Sequence, residues 1–195
     1  MRRPGGADFA PGAYVFPGGV VHDEDSTWGD EIAAAAVREV FEEVGILLAR
    51  AGRRFPRDRD CERIRELVAG GSSFTDALRS SGMEPALDRL VLLTRWVTPA
   101  AMRRRYDARF YLARVPAGQT VRVQTDEVSD WLWTTPARAL SEPSITLVYA
   151  TRRVLESVAL DEDVTKLFAR VRRLKSVPVV EPRMVQTESG WEIVR

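Results

Sequence analysis

The chain has 195 residues, 45% of them hydrophobic, and its 29 basic and 28 acidic residues leave a formal net charge of +1. That length and composition suit one well-buried core, and so balanced a charge gives no electrostatic reason to expect a nucleic acid or a membrane surface as partner. The single cysteine, Cys61, leaves no disulfide framework or cysteine-based zinc module and suits a reducing cytoplasm; no run approaches the ~18 uncharged apolar residues of a membrane span.

In chain order, Arg2 and Arg3 lead into Pro-Gly-Gly rather than the apolar stretch of a signal sequence. "GAYVFPGG" reads as a short strand closed by a glycine turn, because Tyr14, Val15 and Phe16 favour extended backbone and Pro17 stops it. A helix follows, with Asp30 as its cap and Ala33, Val37, Val40, Val44 and Leu47 at the spacing of one buried face. Gly45 breaks it, leaving Ile46 to Leu48 to continue as a buried strand. Residues 57–90 read as a helical insertion or lid, with "CERIRELVAGG" and "SSFTDALRSSG" as two short helices ended by glycines. "LVLLTRWVTP" and "RYDARFYLARV" read as strands, the second alternating Tyr106, Ala108, Phe110 and Leu112 against Arg105, Asp107, Arg109 and Tyr111. "VRVQTDEVSDWLWTTPARAL" supplies a further strand or two and a short helix. Amphipathic helices cover 146–158 and 162–174, and a proline-punctuated tail, "VPVVEPRMVQTESGWEIVR", closes the chain.

The helix behind the Pro-Gly-Gly turn is crowded with charge. Glu39 lies three residues from Glu42 and four from Glu43, so these carboxylates meet on a helix and repel. Arg38, four residues before Glu42, offsets only part of that repulsion. Hard oxygen donors in this arrangement suit Mg²⁺ or Mn²⁺, which typically bridge carboxylates to substrate phosphates, and Gly18-Gly19 gives backbone room to approach a phosphate. Taken alone, the same run is equally well a solvated acidic face.

The wider pattern separates the two readings. "REVFEEVGI", Arg38 to Ile46, follows the R-E-U-x-E-E-x-G-U half of the Nudix box, U being aliphatic, and "FPGG" is the usual entrance to it. The chain therefore resembles a Nudix hydrolase. The resemblance implies an α/β class and the Nudix fold, a mixed β-sheet sandwiched between α-helices, in a single domain over 1–195. It also implies hydrolysis of a nucleoside diphosphate linked to another group. "EVSDWLWTTPARAL" is similar to the family's late strand and the helix after it.

Two departures carry information. The standard spacing, G-x5-E-x7-R, reaches Asp25 from Gly19, but Arg38 then lies five residues too far on. The loop "DEDSTWGDE" thus holds an insertion, and the glutamate of the first half is replaced or displaced among Asp25, Asp30 and Glu31. An interruption at this point, the helical insertion, "RWVTP" and "RRYDARFYLA" are similar to the branch of the peroxisomal coenzyme A diphosphatases. Secondly, "MRRPGG" looks like the end of a strand cut short, so either the start lies upstream or another segment, such as "GWEIVR", completes the sheet. An open sheet edge would invite a homodimer.

By the same resemblance, Glu39, Glu42 and Glu43 carry the metal, Mg²⁺ or Mn²⁺. Arg38 orients a glutamate, and Glu127 adds a ligand or the general base. Arg105 and Arg109 are candidates for the 3'-phosphate or diphosphate of coenzyme A, or for a salt-bridged edge with Asp107. Phe16, with Tyr14, Trp96 and Phe110, is a candidate adenine stack or simply core. The leading function is metal-dependent hydrolysis of coenzyme A or acyl-coenzyme A to 3',5'-ADP and 4'-phosphopantetheine. The alternatives are a pyrophosphatase for ADP-ribose, NADH or a nucleotide sugar, and a non-catalytic nucleotide-sensing module.

Overall fold

Asp30 starts the acidic helix as its cap: the carboxylate accepts the Ala33 amide at 3.0 Å, and α1 runs Glu31–Val44. It ends at Gly45, where φ is +74° and a Cβ would stand 2.8 Å from the Arg122 carbonyl, so both backbone sign and space demand glycine. The structure is a computed structural model that describes residues 1–7, 10–102, 105–124, 126–187 and 190–194. It divides into two compact units, Met1–Leu90 with Ala113–Thr134 and Pro143–Val148, and Val91–Leu112 with Thr135–Glu142 and Tyr149–Arg195.

In the first unit α1 is buried on more than one face. Ala33, Ala34, Ala35, Val37, Phe41 and Val44 are all buried, whereas Val40, expected in the core stripe, is only half-buried. Ile46 to Leu48 are buried as expected but form no ladder. Instead the side chain of Gln119 stands where a neighbouring strand would: its Oε1 accepts the Leu47 amide at 2.8 Å and its Nε2 donates to the Leu47 carbonyl at 3.0 Å. Strand pairing begins only at β1, Ala49–Arg50, antiparallel to β2, Glu84–Pro85.

Between them lie α2, Asp58–Ala69, and α3, Phe74–Ser80, close to the helices read from sequence. They form core. Cys61 and Ile64 of α2 and Phe74, Ala77 and Leu78 of α3 share one apolar cluster with Val37, Phe41 and Val44 of α1, and the Phe41 and Phe74 ring centroids are 5.5 Å apart. A lid would leave such faces uncovered on opening, so the segment supports α1 rather than closing over it.

"GAYVFPGG" is less regular than expected. Tyr14 makes isolated bridges to Arg2 and Leu147, and Arg2 also bridges Asp130. Residues 1–3 are thus paired on both sides, Arg3 N to Ala13 O at 2.9 Å and Arg2 N to Asp130 O at 2.7 Å. Of the stretch expected to supply a further strand or two, residues 121–124 cap α1 instead. Arg122 N donates to Val44 O at 2.9 Å and Gln124 N to Glu43 O at 3.1 Å, satisfying carbonyls that a helix end leaves open.

The second unit holds a mixed sheet in the order β4-β3-β5. β3, Val91–Val97, pairs antiparallel with β4, Asp107–Leu112, and parallel with β5, Val179–Val180. An irregularity between Leu92 and Thr94 interrupts the register. Leu93, Trp96 and Val180 pack with Val154 of α5, Tyr149–Val158, and Val171 of α6, Val164–Arg172. α4, Pro136–Ser141, is capped by Thr135. The tail divides its work: Val179 and Val180 extend the β3 sheet, while β6, Arg183–Thr187, and β7, Gly190–Val194, pair with each other. Among the described residues no helix is long and apolar enough to cross a membrane.

Candidate active site

Arg38 is the centre of the acidic cluster and is fully buried. Its guanidinium holds Asp25 through two parallel bonds of one edge, Nε to Oδ1 at 3.1 Å and Nη2 to Oδ2 at 3.0 Å, and Nη2 also donates to the Val20 carbonyl at 2.7 Å. Nη1 donates to Glu39 Oε1 at 2.9 Å and to Glu42 Oε2 at 2.8 Å. Three carboxylates therefore share one cation. Burial by itself would lower the Arg38 pKa, but the Asp25 hydrogen bond and the charges of Glu42, Glu39 and Asp25 raise it, so the guanidinium stays charged.

Asp25 answers the question left by the irregular spacing. Of Asp25, Asp30 and Glu31, Asp30 caps α1, Glu31 is exposed, and Asp25 is 1% exposed and faces Arg38. It is carried on a 3-10 turn, Asp23–Trp28, and its Oδ2 also accepts the His22 amide at 2.8 Å. Sequence spacing left three candidates because a loop insertion hides which residue folds back.

Glu43 sits apart from the guanidinium. Its Oε2 accepts the Gly18 amide at 2.7 Å, and it is 5% exposed. Burial pushes its carboxyl up to about 7, the Gly18 bond opposes the shift, and the charges of Glu39 and Glu127 add to it. Burial likewise raises Glu42, with Arg38 opposing. Gly18 and Gly19 thus serve the carboxylates: one amide is spent on Glu43, and the space a side chain at Gly19 would fill is taken by the Glu39 carboxylate.

The sequence-derived residues fall into two groups. Arg38, Glu39, Glu42, Glu43, Gly18 and Gly19 come together in the first unit, and the exposed Glu127 is near enough to act on Glu43 electrostatically. Phe16, in the same unit, is 40% exposed. Arg105 and Arg109 belong to the second unit. Arg105 donates to the Thr98 carbonyl at 3.2 Å and pairs with Glu181 at 3.4 Å, and Arg109 stands opposite Arg95 across the ladder. The salt-bridged edge at Asp107 exists, but its cation is Arg95, bound at two points of 2.7 Å each.

The donor set suits a hard divalent cation, for it offers carboxylate oxygens with more negative charge than Arg38 balances. Among the described residues no three His, Cys, Asp or Glu side chains already converge on one metal position. Glu39 and Glu42 are turned onto Arg38 and Glu43 onto Gly18; the fit lies in donor chemistry and excess charge. Cys61, buried and with its thiol pushed up to about 11 by burial, is part of the core.

A family model described as the NUDT19 Nudix domain matches residues 28–149. A Caenorhabditis elegans protein named as a nudix hydrolase is 34% identical over 143 residues, 73% of this chain and 48% of the relative. The chain therefore spans about half the length of that curated relative. The crystal structure of a NUDIX hydrolase from Alicyclobacillus acidocaldarius superposes with a TM-score of 0.72 at 25% identity, covering 89% of this chain and 86% of that one.

Proposed function

The chain belongs to the Nudix hydrolase superfamily, and on that premise we propose that it hydrolyses the diphosphate bond of coenzyme A or an acyl-coenzyme A, releasing 3',5'-ADP and (acyl-)4'-phosphopantetheine. Nudix enzymes are hydrolases of diphosphate bonds in small-molecule nucleotides and use divalent metal ions, and this chain is a hydrolase of that kind. The finer reading is supported by one observation above others: the box is interrupted between Gly19 and Arg38, and Asp25 on the turn in that interruption takes Arg38 by a bidentate pair of bonds. That interruption, the two helices packed behind α1 and the matched domain model all fit the coenzyme A diphosphatase branch.

A diphosphate resists attack by water because its anionic oxygens repel the nucleophile. Divalent metal, Mg²⁺ or Mn²⁺, supplies charge neutralisation and orientation of the attacking water when bound. Glu39, Glu42 and Glu43 would hold it. Arg38 touches no substrate in this reading; anchored by Asp25, it fixes the headings of Glu39 and Glu42. Gly18 fixes Glu43. Glu127, whose charge acts on Glu43, would accept the proton lost by the water as it forms its bond to phosphorus and the anhydride P–O bond breaks. Phe16 offers an exposed ring to the adenine base.

A second reading, hydrolysis of ADP-ribose, NADH or a nucleotide sugar, is favoured by Arg105. Its guanidinium is engaged by Glu181 and Thr98, and a 3'-phosphate would have to compete with both. Product analysis with Mg²⁺ and with Mn²⁺ over coenzyme A, 3'-dephospho-coenzyme A, ADP-ribose, NADH and a nucleotide sugar decides between them. Faster release of 3',5'-ADP from coenzyme A than of AMP from ADP-ribose supports the first reading; the reverse order replaces it with the second.

A further inference from the structure

The turn that carries Asp25 is gripped from behind by the helical insertion. Thr75 lies in the first turn of α3 and is 4% exposed. Its amide donates to Glu24 Oε2 at 2.8 Å, its hydroxyl accepts the indole N–H of Trp28 at 3.1 Å, and the same hydroxyl donates to the Glu24 carbonyl at 3.3 Å. Arg79, one turn further along α3, stacks over the Trp28 ring with its guanidinium carbon 5.3 Å from the centroid. Asp25 lies between the two gripped residues, and on its other side both of its oxygens meet Arg38.

This arrangement compensates for a chemical change. Aspartate is one methylene shorter than the glutamate of the usual box, so the backbone bearing it must approach Arg38 more closely. That backbone is a six-residue 3-10 turn, Asp23–Trp28, a conformation with poor internal hydrogen bonds that does not hold its own shape well. Exposed Asp23, Ser26 and Thr27 give it little apolar anchorage. What fixes it is the packing of Trp28 at its end against the core cluster, together with polar contact, Thr75 behind and Arg38 in front.

We propose that Thr75 is a positioning residue for diphosphate hydrolysis: by clamping Glu24 and Trp28 it sets the height of Asp25, and through Arg38 it sets the headings of Glu39 and Glu42. The proposal rests on the reading of Glu39, Glu42 and Glu43 as the metal-holding set. It makes α3 part of the catalytic apparatus although no residue of that helix need touch substrate. Groups that orient the ligands of a metal typically govern its affinity by 10- to 100-fold.

Thr75→Val keeps the shape and the backbone amide but loses the hydroxyl. Mn²⁺ binding, followed by calorimetry and by the loss of the free-ion paramagnetic resonance signal, weakens about tenfold, and kcat falls by a similar factor while KM for the diphosphate substrate stays within about twofold. Thr75→Ser restores both. Thr94→Val, which removes a hydroxyl bonded at 2.9 Å to the Pro178 carbonyl in the second unit, is the control for loss of a buried hydrogen bond as such: it lowers the melting temperature and leaves Mn²⁺ affinity intact. Should Thr75→Val not fold, Trp28→Phe, which keeps an aromatic ring but gives up the indole and with it the N–H that Thr75 accepts, gives a loss in the same direction. Wild-type Mn²⁺ affinity in Thr75→Val or Trp28→Phe, with Glu43→Gln impaired, overturns the role of Thr75 alone. Undiminished Mn²⁺ affinity in Glu43→Gln overturns the metal reading beneath it.

Discussion

The α-carbon of Gly19 faces the carboxylate of Glu39 so closely that a methyl group there would stand 2.6 Å from Oε2 and nearer still to Oε1. Glycine is required here for its missing side chain rather than for an unusual backbone angle. Gly19→Ala is therefore expected to swing Glu39 off Arg38 Nη1. The displaced group is the end of a flexible side chain, so the melting temperature changes little while turnover falls at least about tenfold. Unchanged turnover in a normally folded Gly19→Ala protein would mean that the heading of Glu39 is immaterial.

Asp25→Asn tests the other side of the same guanidinium. The amide keeps the size of the side chain but leaves a buried cation without its bidentate carboxylate partner, and breaking such pairs costs about 3–5 kcal/mol. Glu39 and Glu42 remain on Nη1, which places the expected loss at about 3 kcal/mol or below. Urea denaturation of the metal-free protein measures it.

These two positions also mark how far the sequence could be read. The acidic helix, its Asp30 cap, its Gly45 stop and the pairing of Arg38 with Glu42 follow from local rules of helix spacing, and the structure has all of them. Asp25 does not follow, because the count from Gly19 reaches it while the insertion breaks the count on to Arg38, and only a folded turn shows which carboxylate returns. The segment 57–90 is legible as two helices but not as core. An amphipathic face states that something covers it, not that Phe41 of α1 does so against Phe74. The strand expected at 14–16 gives way to isolated bridges, and the first residues of the stretch expected to supply a further strand or two, 121–124, to a helix cap, since β-propensity says nothing of which backbone partner arrives first. Gln119 is the least legible residue: a lone glutamine acts as the neighbour of Leu47, a role without any local signature.

Glu42→Gln removes a charge without changing shape. Loss of a hard ligand is expected to lower kcat by roughly 10²-fold or more, with the Mg²⁺ requirement shifted to higher concentration. Val37→Ala, at a fully buried position of the same helix, destabilises the protein by about 2 kcal/mol and leaves the Mg²⁺ requirement where it was. Val40, being half-buried, is expected at about 1 kcal/mol or less for the same truncation. A metal titration of activity in the three variants separates ligand from core.

Arg105→Ala bears on substrate. If this guanidinium leaves Glu181 to read a 3'-phosphate, the variant loses far more kcat/KM on coenzyme A than on 3'-dephospho-coenzyme A, because only the former forfeits a charge-assisted contact. Equal losses on the two substrates assign Arg105 to its exposed pair with Glu181 and remove it from the site.

Glu43 ties stability to pH. Burial holds its carboxyl up at about 7 in the folded chain, whereas its ordinary value is 4.5. Between those values the folded protein keeps a proton that the unfolded chain has already released, so the unfolded state binds fewer protons and stability falls as pH rises through the window. Below it both states are protonated, and above it both are ionised, so this group adds no further slope at either end. The whole fall amounts to at most about 3 kcal/mol. Urea denaturation of the metal-free protein from pH 5 to pH 8 is expected to show that decline, and Glu43→Gln, which cannot ionise, to flatten it. Divalent metal needs the ionised form, so its addition should restore stability more at pH 8 than at pH 5.5 and release a proton when it binds below pH 7. An identical pH slope in wild type and Glu43→Gln would place the titration on another group and leave Glu43 charged throughout.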